Sequence, residues 1–519
     1  EKKVVKIPLY SIIMMIIIIM AIMTCVFGTK IIKSVAKYNV VKFAQTEDGN
    51  FEYEILEDGT IEIVTYLGEN SEVIIPQTID GKKVTSIGSY AFAFTTVKSV
   101  KIPEGVSNIG NLAFSNCGRL SNIELPETLC KIGEDAFYYC ASLENVELPE
   151  GLATIGQQAF NYCANLKNIK IPKTVVEIGD RAFYGCSSLQ EISVTNGNNA
   201  YTSENGVLFN KNKTKLICYP AQKQDKIYNI PEEVISINSE AFYQCEYIEK
   251  ITIPTGVLVI EPSTFEGCRK LNEIVIPEGV TSIGEGAFAD CSSLKTINIP
   301  SNITKIENST FLDCYELENL IIPEGVTSIG ESAFSGCFSL GNVVIPEKTT
   351  NVGAFAFSNC SGLKSIRIPE GVNNIGACAF NMCMELTEIE VDSKNKNYMS
   401  QEGVLFNKNK TEILCYPAGK IGETYNISEE VSTIHPYAFG FCTNLKKITI
   451  PLGVENIGYS AFENCENLLS VNIPNGITKI ESSMFSYCTN LSEIFLPESI
   501  TQIGNYAFGG CSNLKNIEI

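Results

Sequence analysis

Apolar and polar residues recur along most of the chain with a period of 23 residues. One unit, residues 274–294, has the sequence IVIPEGVTSIGEGAFADCSSL. The proline of this unit returns at the equivalent place in fourteen units: Pro103, Pro126, Pro149, Pro172, Pro231, Pro254, Pro277, Pro300, Pro323, Pro346, Pro369, Pro451, Pro474 and Pro497. Such regular repetition indicates one structural unit that is used many times.

Each unit predicts two short extended segments and a turn. Ile274 and Ile276 alternate with Val275, which is the period of a strand with one buried face. Pro277 removes a backbone donor and predicts the end of that strand. The Val-x-x-Ile spacing that follows predicts a second extended or turning segment, and Gly284 permits a tight bend. The Ala-Phe pair after it predicts a short helical turn.

Stacking is what gives such units a core. The phenylalanine recurs in sixteen units, and in thirteen of them it follows alanine. A single coil of this length cannot bury its apolar side, whereas stacked coils bury it against one another. The pattern therefore predicts a repeat solenoid of about eighteen coils. Its predicted core includes Phe114, Phe137, Phe160, Phe183, Phe288, Phe334, Phe462 and Phe508.

The period is interrupted twice, and the interruptions are alike. Thr195 and Asp392 stand where prolines are due, and the next equivalent positions come 36 residues later. Each interruption contains the sequence GVLFNKNKT and a second apolar run that ends in Tyr-Pro. This pattern predicts β-hairpins in enlarged coils at about 195–231 and 392–428. Two interpretations stay open: the hairpins contact a ligand, or they are inserted coils that change the curvature.

The N-terminal region differs from the repeats. Residues 7–29 carry no charged side chain and are long enough to cross a membrane as a helix. We expect residues 1–6 to be a basic flank, 7–29 a transmembrane anchor or signal-anchor, 30–50 a linker, 51–75 a β-hairpin cap and 76–519 the solenoid. A cleaved signal sequence and a buried core helix are the alternatives. Because the last unit lacks a closing cap, we also expect the sequence to continue beyond residue 519.

Fifteen cysteines form a series three residues after the phenylalanines, from Cys117 to Cys511. Disulfides between stacked coils are disfavoured, because equivalent Cβ atoms would lie about 4.8 Å apart. Zinc sites are disfavoured because the chain has no CxxC pair. Small buried thiols that fill space beside the phenylalanines are the simplest interpretation.

Composition narrows the possible functions. The net charge is −20 and no segment is rich in Lys or Arg, which argues against nucleic-acid binding. His435 is the single histidine, and no catalytic triad, phosphate-binding loop or cofactor motif is apparent. We therefore expect neither an enzyme nor a small-molecule substrate, cofactor or metal.

These units resemble the BspA-like, or Treponema pallidum-type, leucine-rich-repeat family. The matching pattern is Ile-Pro-x-x-Val-x-x-Ile-Gly-x-x-Ala-Phe-x-x-Cys-x-x-Leu, from Ile75 to Ile519, with an insertion at 79–84 and the Gly-Val-Leu-Phe hairpins. The resemblance implies a right-handed leucine-rich-repeat coil. It also implies a bacterial protein of the cell surface, anchored by one membrane span with its repeats outside, that adheres to host proteins, matrix or other cells.

The family pattern defines scaffold positions, so a binding surface has to be inferred from the variable ones. Outward-facing strand residues are mostly polar, but Val275, Ile321 and Val344 are apolar within four neighbouring coils. With Asn298 and Arg367 they form the candidate ligand face, and ordinary β-propensity is the alternative explanation. The leading functional hypothesis is adhesion to a protein or cell-surface ligand. The second is a stalk or spacer that presents a further domain.

Overall fold

The computed structural model describes residues 43–518 as a solenoid of about 19 turns with about 23 residues each. Every turn has three sides: a strand before the repeat proline, a strand after it, and a segment of tandem turns. We call the outward surfaces of the first and third sides the pre-proline face and the turn face. The predicted repeat solenoid is confirmed.

Short parallel strands form the first two sides of the solenoid. The strands of the pre-proline series are Glu72–Ile74, Ser99–Lys101, Asn122–Glu124, Asn145–Val146, Asn168–Ile171, Glu191–Val194, Ile227–Asn229, Lys250–Thr252, Glu273–Val275, Thr296–Ile297, Ser365–Ile368, Glu388–Val391, Thr424–Asn426, Lys447–Thr449, Ser470–Asn472, Glu493–Phe495 and Asn516–Glu518. The strands of the post-proline series are Lys82–Ile87, Asn108–Ile109, Lys131–Ile132, Thr154–Ile155, Glu177–Ile178, Ser236–Ile237, Val259–Ile260, Ser282–Ile283, Lys305–Ile306, Ser328–Ile329, Asn351–Val352, Asn374–Ile375, Thr433–Ile434, Asn456–Ile457, Lys479–Ile480 and Gln502–Ile503.

Antiparallel strands occur at the N-terminal end. Phe51–Ile55 pairs with Ile61–Tyr66, which in turn pairs in parallel with the first post-proline strand. Ala44–Gln45, within the segment expected as a linker, pairs with Phe51–Ile55, and Thr78–Ile79 pairs with Lys82–Ile87. The segment expected as a membrane anchor, 7–29, lies outside the described residues. Within residues 43–518, no helix has the length and apolarity to cross a bilayer.

The third side consists of β-turns where the sequence predicted helical turns. In one coil, the amides of Ala287, Ala289 and Cys291 donate to carbonyls three residues earlier. The amides that alternate with these, those of Gly286, Phe288 and Asp290, donate instead to carbonyls of the next coil. Gly286 has φ +61° and Asp290 has φ +56°, which an α-helix cannot accommodate. The backbone bonds are thus divided between local turns and the neighbouring coil, and the helical prediction for this side is wrong.

Gly284 has a different role from the predicted tight bend. A Cβ atom at this position would lie 2.5 Å from the backbone nitrogen of Pro262 in the preceding coil. Its amide donates to Ile260 of that coil at 2.9 Å. Glycine is required because two backbones approach closely between coils.

Stacked phenylalanines form the centre of the core. The rings of Phe288 and Phe311 lie 5.7 Å apart and almost parallel, at 5°. Among the predicted core residues, Phe183 is buried with 6% of its surface exposed, and Phe508, in the last described coil, is partly buried. The others are fully buried: Phe114, Phe137, Phe160, Phe288, Phe334 and Phe462.

The two predicted hairpins are three-stranded antiparallel units. Their strands are Tyr201–Glu204, Val207–Asn210 and Lys215–Cys218 in the first, and Tyr398–Gln401, Val404–Asn407 and Glu412–Cys415 in the second. The middle strand divides the core, since Leu208 packs with the coils before it, and Val207 and Phe209 pack with those after it. Leu405 and its neighbours Val404 and Phe406 divide the core in the same way. The hairpins therefore separate the solenoid into three packed blocks.

Candidate binding surfaces

The pre-proline face presents the apolar residues that the sequence singled out. Val275, Ile321 and Val344 have 57%, 85% and 73% of their surface exposed. The inward neighbours Ile274 and Ile276 are buried, as alternation along a strand requires. At Ile321 and Val344 the regular strand gives way to isolated bridges at Asn319 and Asn342. Three large aliphatic side chains are thus presented to solvent on neighbouring coils.

The other two residues of the candidate ligand face are held by polar contacts. Asn298 donates to the carbonyl of Ile276 at 2.8 Å and accepts from its amide at 3.0 Å. Arg367 forms ion pairs with Glu347 at 2.5 Å and Asp392 at 2.7 Å. Both side chains therefore border the apolar residues in fixed positions, and the charge of Arg367 is balanced within the chain.

The turn face carries a group of tyrosines that the sequence analysis did not identify. Tyr138, Tyr139, Tyr162, Tyr184 and Tyr243 form the tyrosine cluster. The rings of Tyr184 and Tyr243 lie 4.2 Å apart, and those of Tyr162 and Tyr184 lie 5.3 Å apart. Tyr139 contacts Tyr162 at 5.6 Å and remains 49% exposed. Alignment of the two positions after the repeat phenylalanine would have revealed this accumulation.

The cluster spans the junction where the first hairpin is inserted. No backbone hydrogen bond joins turn segment 179–186 to turn segment 238–245. The ring of Tyr219, at the end of the hairpin, stacks on Phe242 at 5.1 Å and takes the place of a phenylalanine in the core. Arg181 crosses the junction and donates to both carboxylate oxygens of Glu240, at 2.5 and 3.0 Å. Side chains thus connect two coils whose backbones are separate.

Two carboxylates flank the tyrosine cluster along the stack. Asp135 lies near Tyr138, and Glu266 lies near Tyr243. Burial, with a smaller contribution from Glu134, raises the pKa of Asp135 to about 6. Burial also raises the pKa of Glu266, which is hydrogen-bonded to Ser263. Neither carboxylate has a cationic partner among the described residues.

A buried amide completes this surface. Asn161 is only 3% exposed and donates to Gln158 at 2.7 Å, but its Oδ1 atom has no partner in the described chain. The groove that it lines also contains Tyr138, Tyr162, Tyr184, Arg181 and Glu240. Exchange of the amide oxygen and nitrogen would still leave one polar atom of Asn161 unpaired. Buried polar atoms without a partner are rare in folded proteins, and this one belongs to a side chain that lines the groove.

The second hairpin junction has the same backbone and different side chains. Cys378 and Tyr437 occupy the places of Arg181 and Glu240, 197 residues later in the chain. The Cys378 Sγ atom lies 4.0 Å from the carbonyl of Pro436 across the junction. His435 pairs with Glu412 at 2.8 Å. Among residues 43–518, no three side chains of the metal-binding types converge on one point.

The cysteine series has a structural role beyond filling space. Cys291 donates a hydrogen bond from its thiol to the carbonyl of Phe265 in the preceding coil at 3.2 Å. The same bond recurs from Cys163 to Phe137 at 3.2 Å. Burial raises the pKa of Cys163 to about 12, so this thiol stays protonated at neutral pH. The thiols therefore join successive coils.

Comparison with known proteins supports the same repeat. The model of the BspA type leucine rich repeat region matches residues 85–214, 221–340, 304–417 and 415–519, in six copies. No curated protein sequence matches the chain. Proteins of this type are generally surface-associated, and leucine-rich-repeat proteins are typically non-enzymatic scaffolds that bind proteins.

Solved structures of bacterial proteins are similar to this chain. A leucine-rich repeat protein from Eubacterium ventriosum is 27% identical over 69% of this chain and 97% of its own, with a TM-score of 0.58. The T. pallidum leucine rich repeat protein is 29% identical over 48% of this chain and 91% of its own, with a TM-score of 0.29. The pneumococcal vaccine antigen PcpA is 23% identical over 81% of this chain and 99% of its own, with a TM-score of 0.45.

The family matches cover most of the chain and include the coils on both sides of each hairpin. They agree with the 23-residue repeat, the stacked phenylalanines and the two parallel strand series described above. This protein therefore belongs to the BspA-type leucine-rich-repeat family.

Proposed function

We propose that this protein is a cell-surface adhesin that binds a host, matrix or cell-surface protein through its pre-proline face. Residues 7–29 would anchor it in the membrane with the repeats outside. The single observation that carries the proposal is the exposure of Val275, Ile321 and Val344 on neighbouring coils. Burial of large aliphatic side chains in an interface releases the free energy that their contact with water costs.

A pair of charged substitutions tests the contact surface. Val275→Lys with Ile321→Lys places two ammonium groups in the apolar patch, and we expect adhesion to fall at least about tenfold because burial of unpaired charge is costly. Cells that display the full chain would be measured for adhesion to surfaces coated with matrix proteins. Protease treatment of intact cells would establish in the same preparation that the repeats lie outside.

The matched control places the same charges elsewhere on the same face. Asn426→Lys with Thr449→Lys changes two exposed residues on neighbouring coils outside the patch. We expect this variant to adhere like the unmodified protein. Equal adhesion of both variants would remove the patch as the binding surface and favour the spacer hypothesis.

A further inference from the structure

The groove in the turn face has three features that call for the same kind of ligand group. It is lined by Tyr138, Tyr162 and Tyr184 of the tyrosine cluster and by Asn161, whose amide oxygen has no partner, and the unpaired carboxylates Asp135 and Glu266 flank the cluster at its two ends. Aromatic faces attract cations, carboxylates pair with them, and an orphan oxygen requires a donor. A positively charged side chain that carries N–H groups satisfies all three.

We infer that the tyrosine cluster is a binding site for an arginine or lysine side chain of a partner protein. Arginine fits best, because its planar guanidinium group stacks on aromatic rings and still has donors for Asn161 and a carboxylate. The positive charge already present, on Arg181, does not oppose this ligand, since Glu240 holds it in a bidentate pair. The charges of Asp135, Arg181, Glu240 and Glu266 sum to two net negative charges.

The backbone conformation of two tyrosines in the cluster follows the repeat. Tyr139 has φ +60° and Tyr162 has φ +56°, a region that costs a non-glycine residue about 1 kcal/mol or more. Stability alone would favour glycine here, as at Gly185 with φ +68° in the equivalent position of the next coil. The same conformation recurs at the equivalent position of other coils, as at Asn116, Gln244 and Met382, so the repeat imposes it and these two coils fill the position with tyrosine.

A basic peptide and its neutral isostere test the inference directly. The full chain would be titrated into a rhodamine-labelled peptide of alternating glycine and arginine, and binding followed by fluorescence anisotropy. A second peptide carries citrulline, which keeps the shape of arginine without its charge, and a third carries lysine. We expect saturable binding of the arginine peptide and at least about tenfold weaker binding of the citrulline peptide.

Substitutions that preserve shape locate the site. Asp135→Asn with Glu266→Gln removes both carboxylates, and we expect affinity for the arginine peptide to fall about tenfold. The matched control, Glu318→Gln with Glu324→Gln, removes two exposed and unpaired carboxylates elsewhere and is expected to bind like the unmodified protein. Circular dichroism and the urea unfolding midpoint would verify that each variant is folded.

Three outcomes would overturn the inference. They are equal binding of arginine and citrulline peptides, equal loss of affinity in the site variant and its control, and no saturable binding at millimolar peptide. The second outcome would identify general attraction to a chain of net charge −20 instead of a site. Because this assay does not measure adhesion, it can fail or succeed independently of the proposed function.

Discussion

The two hairpin junctions share their buried polar contacts and differ in the side chains that cross them. Asn198 and Asn395, 197 residues apart, donate to the same two carbonyls of the preceding coil and accept from the same two amides. The hydroxyls of Tyr201 and Tyr398 accept from equivalent amides at 2.8 and 2.9 Å. The asparagine and tyrosine side chains that attach each hairpin to the preceding coil are therefore the same at both junctions.

The residues whose side chains cross the junction differ between the two hairpins. The first junction has the ion pair of Arg181 and Glu240 and the stacked rings of Tyr184 and Tyr243. At the corresponding positions the second junction has Cys378, Tyr437, Asn381 and Gly440. Since the same backbone tolerates both sets, the fold does not require the ion pair or the tyrosines. The comparison indicates that the fold does not impose the chemistry of the first junction.

The largest expected effect concerns the shared asparagines. Asn198→Ala and Asn395→Ala each remove four hydrogen bonds and leave two carbonyls and two amides without that partner. We expect each to lower the free energy of unfolding by about 3 kcal/mol, because unpaired buried polar groups are costly. Urea unfolding followed by circular dichroism measures the change. If the junctions are equivalent in this respect, the two losses are equal.

An exposed asparagine provides the control for this pair. Asn467 is exposed; its side chain donates to the carbonyl of Thr443 at 2.8 Å and accepts from the side-chain amide of Asn490 at 3.1 Å. Asn467→Ala is expected to change stability by less than about 0.5 kcal/mol. A loss at Asn198 or Asn395 as small as that of the control would contradict the structural role assigned to the buried amides.

The ion pair should distinguish the two junctions. Arg181→Met leaves the carboxylate of Glu240, whose side chain is only 5% exposed, without its partner. We expect a loss of about 2 kcal/mol, less than for a fully buried pair because Arg181 is half exposed. Urea unfolding and limited proteolysis near the junction measure it. Cys378→Ser at the second junction is expected to cost less than about 1 kcal/mol.

A second substitution separates charge from packing. In the Arg181→Met background, Glu240→Gln removes the unpaired charge, and we expect it to recover part of the lost stability. If the double variant is as unstable as Arg181→Met alone, the loss comes from packing of the arginine side chain and not from the isolated carboxylate.

Sequence and structure agree where a residue acts through hydrophobic burial. The alternation around Val275 predicts the strand and its outward side chain, and the recurrence of Phe288 predicts the stacked core. The turn segment is different, because residues such as Leu112 and Asp135 adopt positive φ without being glycine. Their conformation is fixed by hydrogen bonds to the next coil, which local propensity does not encode.

Contacts between coils on opposite sides of a hairpin also cannot be predicted from the local sequence pattern. Arg181 and Glu240 are 59 residues apart, and they meet only because the hairpin interrupts the turn face. The tyrosine cluster depends on the same interruption, since Tyr184 and Tyr243 belong to coils on opposite sides of it. An alignment of the repeats would place these residues on one face. It would not predict that the two turn segments lack backbone hydrogen bonds to each other, which only the structure shows.

The smallest expected effect is a pH dependence at Asp135, whose counterpart 197 residues later does not titrate. The pKa of Asp135 is about 6 in the folded protein and about 3.8 when unfolded, so folding favours its protonated form. The contribution of protonated Asp135 to the free energy of unfolding is therefore fully present below about pH 3.8 and is lost as the pH rises through about 6. We expect Asp135→Asn to be more stable than the unmodified protein at pH 8 and equal to it near pH 4. The difference should not exceed about 1 kcal/mol, because the carboxyl group is partly exposed and screened by solvent.

Ser332 occupies the equivalent position 197 residues later and does not titrate, so Ser332→Asn should leave the pH dependence unchanged. Urea midpoints of the three proteins at both pH values measure the effect, and parallel curves for all three would show that Asp135 is not held protonated by burial.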